Sequence, residues 1–285
     1  MYTHEITRCH RAAIVIAIDQ SSSMSSEVPF GNNIVSKAEA VSMVTSSIID
    51  ELIMRSHRDN GYRHYFDIAL IGYSGEQVYS LLGEDIAFYP ITQLANQVTH
   101  HKPYSFSCNT LNRGVCEMDD VASIWVKPRA QGATPMYKML CCVTQLVHEW
   151  CNKEENRESF PPLVFNITDG EATDADYDML RDAALRLKKT GTQDGNTLFV
   201  NVHLSPDTNH SSIIFPTTYE MPISIRHAHL LMDMSSAIPP QLEGTIIDCR
   251  KTYSKGPYVA MSYNTSISEI ITVLNIGSRS FVMGL

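Results

Sequence analysis

Residues 12–19, "AAIVIAID", are apolar at every position but the last and rich in β-branched side chains. A run this short and unbroken predicts a strand covered on both faces, as in a parallel sheet. The same signal returns in "YFDIALIGY", "PLVFNITD" and "TLFVNVHL". Between these runs the apolar positions fall at helical spacing instead. Ile34, Ala38, Val41, Thr45, Ile48 and Leu52 predict one helix face, and Met136, Met139, Leu140, Val143, Val147 and Trp150 predict another. "DADYDMLRDAALRLKK" predicts a third helix of weaker periodicity, capped by Thr173 or Asp174 and closed by Gly191.

Strand and helix in alternation predict an α/β fold: a doubly wound, mostly parallel sheet flanked by helices and joined by right-handed crossovers. One domain is expected over residues 10–285, with its core at 10–205 and further strands and a helix over 206–285. Residues 76–130 read as a hairpin and a long connection. "GTIID" reads as a short β-like piece and "SISEIITVLNIGS" as a last amphipathic helix.

Open α/β sheets bind ligands beyond the carboxyl ends of their strands. Asp19 and Asp169 each come at the end of a predicted strand, in "IAIDQS" and "FNITDGE", so both carboxylates face one crevice. Ser21 and Ser23 alternate after Asp19, which brings three oxygens toward one small space. Thr134, in "QGATPMY", precedes Pro135, a residue suited to the first helical position, so its hydroxyl stands at a helix amino terminus. One or two carboxylates, three hydroxyls and water suit a hard divalent cation. Because hydroxyls add no negative charge, such an ion stays electron-poor and attracts a carboxylate from outside.

Taken alone, D-x-S-x-S reads equally well as a turn whose serines satisfy backbone donors. A magnesium-dependent hydrolase or phosphatase using the same pocket is the main alternative. A phosphotransfer aspartate, however, would want a second carboxylate where Ser21 stands, and no G-x-S-x-G elbow supports an acyl-transfer serine. A purely structural protein whose pocket stays empty is the third reading. His57, His64, His148 and His203 have no spacing that ties them to a serine and read as surface or satisfied core residues.

D-x-S-x-S at Asp19, Ser21 and Ser23, the later Thr134, and T-D-G at Thr168 to Gly170 together resemble the metal-ion-dependent adhesion site, or MIDAS, of the von Willebrand factor A (vWA) domain family. The pieces occur in the right order, each at a predicted strand end or helix start. The resemblance covers residues 10–205 well and the remainder loosely. It implies a doubly wound fold and a bound Mg2+, with Mn2+ or Ca2+ as alternatives. It also implies Asp19, Ser21, Ser23 and Thr134 as ligands, with Asp169 acting directly or through water. The ion would then be completed by an Asp or Glu of a protein partner, in a module that is not an enzyme. Ser22 departs from the pattern, since many members carry glycine there. The layout and "LVFNITDGEATD" are further similar to the cytoplasmic bacterial TerY-like branch associated with tellurite resistance and stress response. That likeness implies a phosphatase or kinase as neighbour.

Composition narrows the classes further. The chain has 285 residues, a net charge of -9 and scattered lysines and arginines, which argues against a nucleic-acid partner. No apolar run approaches the roughly 18 residues of a membrane span and no signal-peptide pattern opens the chain, so a cytoplasmic protein is expected, with no membrane partner. Seven cysteines without a CxxC pair fit reduced thiols, with Cys141 and Cys142 read as buried and inert. His100, His101, Cys108 and Cys116 are the nearest zinc candidates, but their spacing matches no common zinc pattern.

Overall fold

The unbroken apolar run at the start of the chain forms β1 (Ala12–Asp19), buried along its whole length. The computed structural model describes residues 2–30, 33–97, 101–110, 114–204, 211–221, 226–250, 254–266, 269–270 and 272–274, with backbone only over 101–110 and 114–123. Among these residues, β1 joins one sheet with β2 (Phe66–Ser74), β3 (Gln77–Ser80), β4 (Tyr89–Pro90), β5 (Phe160–Thr168), β6 (Leu198–His203), β7 (Ile213–Ile214) and β8 (Met261–Tyr263). The strand order is β7-β8-β6-β5-β1-β2-β3, with β4 also pairing on β2. The central strands β2, β1, β5, β6 and β8 are parallel, and β3, β4 and β7 add antiparallel edges.

Side chains alternate across this sheet, and both faces are covered. Ile14, Ile16 and Ile18 point into the core shared with α1 (Lys37–Ser56). Ala13, Val15 and Ala17 point into the core shared with α2 (Met136–Cys151), α3 (Tyr177–Lys189) and α4 (Arg226–Met234). The chain therefore leaves β1 through α1 on one face toward β2, then returns through α2 on the other face to β5. The fold is the expected doubly wound α/β architecture, and its switch point lies between the carboxyl ends of β1 and β5.

Several expectations need correction. Ile34 is not on α1: it lies in the hairpin Glu27–Phe30/Asn33–Ser36 and is 72% exposed. The helix starts at Lys37 because Ser36 and Glu39 form a reciprocal capping box, Ser36 Oγ accepting from Glu39 N at 3.2 Å and Glu39 Oε2 from Ser36 N at 3.0 Å. The cap of α3 is Asp176, which accepts from Met179 N at 2.8 Å, so neither Thr173 nor Asp174 caps it. Nor does Gly191 close α3 as a left-handed cap. Thr190 ends the helix in extended conformation, and Gly191 enters a two-residue strand beside Gly195. "GTIID" is helical, within α5 (Glu243–Arg250), which a turn beginning at Pro240 launches and buried Ile246 anchors. β-branched residues suggested a strand there, and tertiary packing overrode that preference.

Residues 76–130 do contain the expected hairpin, His101–Thr110 with Gly114–Ser123, together with a helical turn at Ile91–Leu94. Of the last predicted helix, residues 269–270 and 272–274 are helical, and Ile270, Val273 and Leu274 are buried. Ser266, which opens the run, is described and lies before the helix, and the rest of the run lies outside the described residues. Among the described residues no helix is long and apolar enough to cross a membrane.

Candidate metal site

The parallel register of β1 with β5 sets Ile18 against Ile167, so that Asp19 comes level with Thr168. Asp19 Oδ2 accepts from Thr168 Oγ1 at 2.8 Å and Oδ1 accepts from the Ser21 backbone N–H at 2.8 Å. After Asp19 the chain turns rather than staying extended. Ser22–Ser25 form one 3-10 turn, pinned by fully buried Met24, and the turn folds Ser23 back so that its hydroxyl lies 3.0 Å from Ser21 Oγ. Ser23 Oγ in turn donates to Asp169 Oδ1 at 2.6 Å. Asp19, Ser21, Ser23 and Asp169 are thus linked around one end of the sheet.

Thr134 arrives from a separate loop. Gln131 N donates to Gln20 O at 2.8 Å, Ser22 N to Gly132 O at 3.0 Å and Gly75 N to Ala133 O at 2.8 Å, which fastens residues 131–133 across the ends of β1 and β2. Gly132 has φ +79° and lies so close to Gly75 that an added Cβ would sit 2.8 Å from the Gly75 backbone, so this crossing needs glycine. Helix α2 begins one residue later than the sequence suggests, with Pro135 as its cap. Thr173 Oγ1 accepts from Thr134 N at 3.0 Å, and Asp174 accepts from Tyr137 N and Lys138 N, each at 3.0 Å. The acidic turn after β5 therefore caps α2, across the site, and holds Thr134 in place.

The Cβ that Gly170 lacks would lie 3.7 Å from Ser23 Oγ and 4.0 Å from Thr134 Oγ1. The two hydroxyls thus flank one small space, beside the Ser23–Asp169 pair. The carboxylate and hydroxyl oxygens of Asp19, Asp169, Ser21, Ser23 and Thr134 fit a hard divalent cation, although one nitrogen, the Lys37 ammonium, also stands against Asp169. Among the described residues no three His, Cys, Asp or Glu side chains converge as a metal cluster, so an ion here would depend on the hydroxyls.

Burial dominates the electrostatics. The Asp19 carboxyl, fully buried, is pushed up to about 6: desolvation raises it, hydrogen bonds from Ser21 and Thr168 oppose this, and the Asp169 charge adds to the rise. A cation beside Asp19 would relieve that cost. Lys37, which the sequence reading passed over, has its ammonium 2.7 Å from Asp169 Oδ2, and both side chains are buried. Thr168, noted only as part of the T-D-G turn, bonds Asp19 directly. The signal that could have found Lys37 is its place at the first turn of α1, where a cation opposes the helix dipole.

The remaining candidates fall elsewhere. His64 Nε2 lies 2.6 Å from Asp67 Oδ1, whose other oxygen accepts from Trp150 Nε1 at 3.0 Å. His57 lies against Tyr62 and His148 beside Asn152. His203 is a core residue, but among the described residues its Nδ1 has no hydrogen-bond partner, so it is not the satisfied core residue expected. Cys141 is exposed and Cys142 half-buried, which corrects the expectation that both are buried: they lie off the apolar stripe of α2. Cys9, Cys141, Cys142 and Cys151 are free thiols. His100 and the side chains of His101, Cys108 and Cys116 lie outside the described residues.

Among solved structures, the chain is similar to a von Willebrand factor type A protein from Catenulispora acidiphila, with 13% identity over 70% of this chain and 34% of that one and a TM-score of 0.40. It is also similar to the vWF domain of the type V pili tip protein Mfa5 from Porphyromonas gingivalis, with 16% identity over 57% and 39% of the two chains and a TM-score of 0.33. A third likeness is to proximal thread matrix protein 1 from the mussel byssus, whose MIDAS motif is occupied by zinc, with 13% identity over 95% and 47% and a TM-score of 0.42. The chain spans between a third and a half of the length of these structures. No protein-family profile and no curated protein matches it.

Proposed function

We propose that the chain is a metal-dependent protein-binding module of the vWA type, not an enzyme. In this reading Asp19, Ser21, Ser23 and Thr134 hold Mg2+, Asp169 assists directly or through water, and an Asp or Glu of a partner completes the ion. One observation carries the reading. Two carboxylates and three hydroxyls, drawn from three separate segments, meet at the switch point of a doubly wound sheet, where Ser23 and Thr134 flank the space beside Gly170. With Asp169 paired to Lys37, Asp19 is the one carboxylate left to offset a divalent ion, and the neutral hydroxyls leave net positive charge for an anionic partner. On the likeness of "LVFNITDGEATD" to the TerY-like branch, the proposed setting is a cytoplasmic bacterial stress-response or signalling system, with a phosphatase or kinase among its partners.

Calorimetric titration of Mg2+, Mn2+ and Zn2+ into the wild type and Asp19→Ala tests the reading. Binding to the wild type that is lost in the variant supports it. Pull-down with and without chelator then asks whether partner capture needs the ion. Turnover of a generic phosphoester that disappears in Asp19→Ala would replace the binding module with a hydrolase.

A further inference from the structure

Lys37 opens α1, where the helix dipole already places partial positive charge, yet its side chain is only 4% exposed. An ammonium taken out of water at such a place needs a counter-charge. Asp169 supplies it, with Nζ 2.7 Å from Oδ2 and the carboxylate 0% exposed. The contact is built in: Lys37 N donates to Ser26 O at 2.9 Å, closing the hairpin Glu27–Ser36, so the fold fixes where this side chain emerges. Ser23 Oγ takes Oδ1 of the same carboxylate. Both oxygens of Asp169 are thereby engaged, one of them by a cation that belongs to the chain. The positive charge also reaches β6, where His203 is pushed down to about 3 by burial first and then by His227 and Lys37.

Resting on the reading of this pocket as a divalent-cation site, we propose that Lys37 is a tethered competitor for the ion. Its ammonium holds Asp169 in the metal-free protein and lowers the affinity for any divalent cation, which must either displace it or bind beside a like charge. The metal-free site keeps its shape because Lys37 stands in for the ion.

Mn2+ and Mg2+ are titrated calorimetrically into the full chain as wild type, Lys37→Gln, Lys37→Met and Lys37→Arg, with thermal melting in chelator as a check on folding. Lys37→Gln keeps a donor for Asp169 without the charge. Both neutral variants are expected to bind Mn2+ at least about tenfold more tightly than the wild type, or about 1.4 kcal/mol. They are also expected to melt lower in chelator and to regain stability with Mn2+, and Lys37→Arg to bind as weakly as the wild type. Wild type and folded neutral variants with equal affinity would overturn the proposal while leaving the metal reading intact. No binding to any of the four proteins would overturn the metal reading and the proposal with it. A measurement on the wild type alone needs no variant to fold: the Lys37 15Nζ resonance should move at saturating Mg2+, and an unmoved resonance in the metal-bound protein overturns the competition.

Discussion

Acid should unfold this protein partly through one imidazole. His203, at the end of β6, is buried, stacked on the Tyr263 ring at 5.1 Å, and has no partner for Nδ1 among the described residues. Its pKa falls from 6.5 to about 3 in the folded state, chiefly because burial disfavours the imidazolium, with the charges of His227 and Lys37 adding to the effect. The unfolded chain therefore takes up the proton first. The contribution of the neutral ring is complete above pH 6.5 and is lost as pH falls toward 3. At pH 5, about 1.5 units below the unfolded value, the loss is about 2 kcal/mol. Asp19, raised from 3.8 to about 6, works in the opposite direction over part of this range, so the wild type alone does not isolate His203. Comparison with His203→Phe does, because phenylalanine keeps a ring against Tyr263 and cannot titrate. Urea unfolding in chelator at pH 7.5, 6 and 5 should show the stability of His203→Phe rising relative to the wild type by about 2 kcal/mol across the series. Two curves that stay parallel to within about 0.5 kcal/mol would refute the argument.

Four further outcomes follow from the same geometry. Asp174→Ala removes the acceptor for Tyr137 N and Lys138 N; it should cost about 1 kcal/mol in urea unfolding and also weaken Mn2+ binding, since the α2 start carries Thr134. Gly132→Ala forces a side chain into the left-handed region against the Gly75 backbone and should lower stability by about 1–2 kcal/mol or more, read from the urea midpoint. Ser36→Ala breaks the capping box of α1 and should cost about 1 kcal/mol by the same assay. Leu140→Ala, in the fully buried face of α2, should cost about 2–5 kcal/mol, with metal affinity preserved in the folded fraction when titrated by calorimetry.

The parallel core was legible because its strands are buried on both faces, so the apolar runs announce themselves without knowledge of their neighbours. β1 was read to the residue as Ala12–Asp19. The α2 stripe was equally plain, since Met136, Met139, Leu140, Val143, Val147 and Trp150 are all buried as its period demands. What failed was short and marginal. The β-branched "GTIID" became a helix, and the Ile34 end of α1 became a hairpin, because local preference there is weaker than packing and capping. α4 was not foreseen, and β8 was expected only as one of the unplaced strands of 206–285, since both are short elements with little period of their own.

By itself the sequence determined that Asp19 and Asp169 come at strand ends on one edge of a doubly wound sheet, with Ser21, Ser23 and Thr134 available as neutral oxygens. Strand register decided that Asp19 meets Thr168, and loop crossing at Gly132 and Gly75 decided where Thr134 stands. Tertiary structure alone decided that Thr173 and Asp174 cap α2 instead of α3 and that Lys37 reaches Asp169 across 132 residues of chain. The reason is physical: a buried charge or an unsatisfied amide takes whichever partner the fold brings within about 3 Å, and separation along the chain carries no record of that choice.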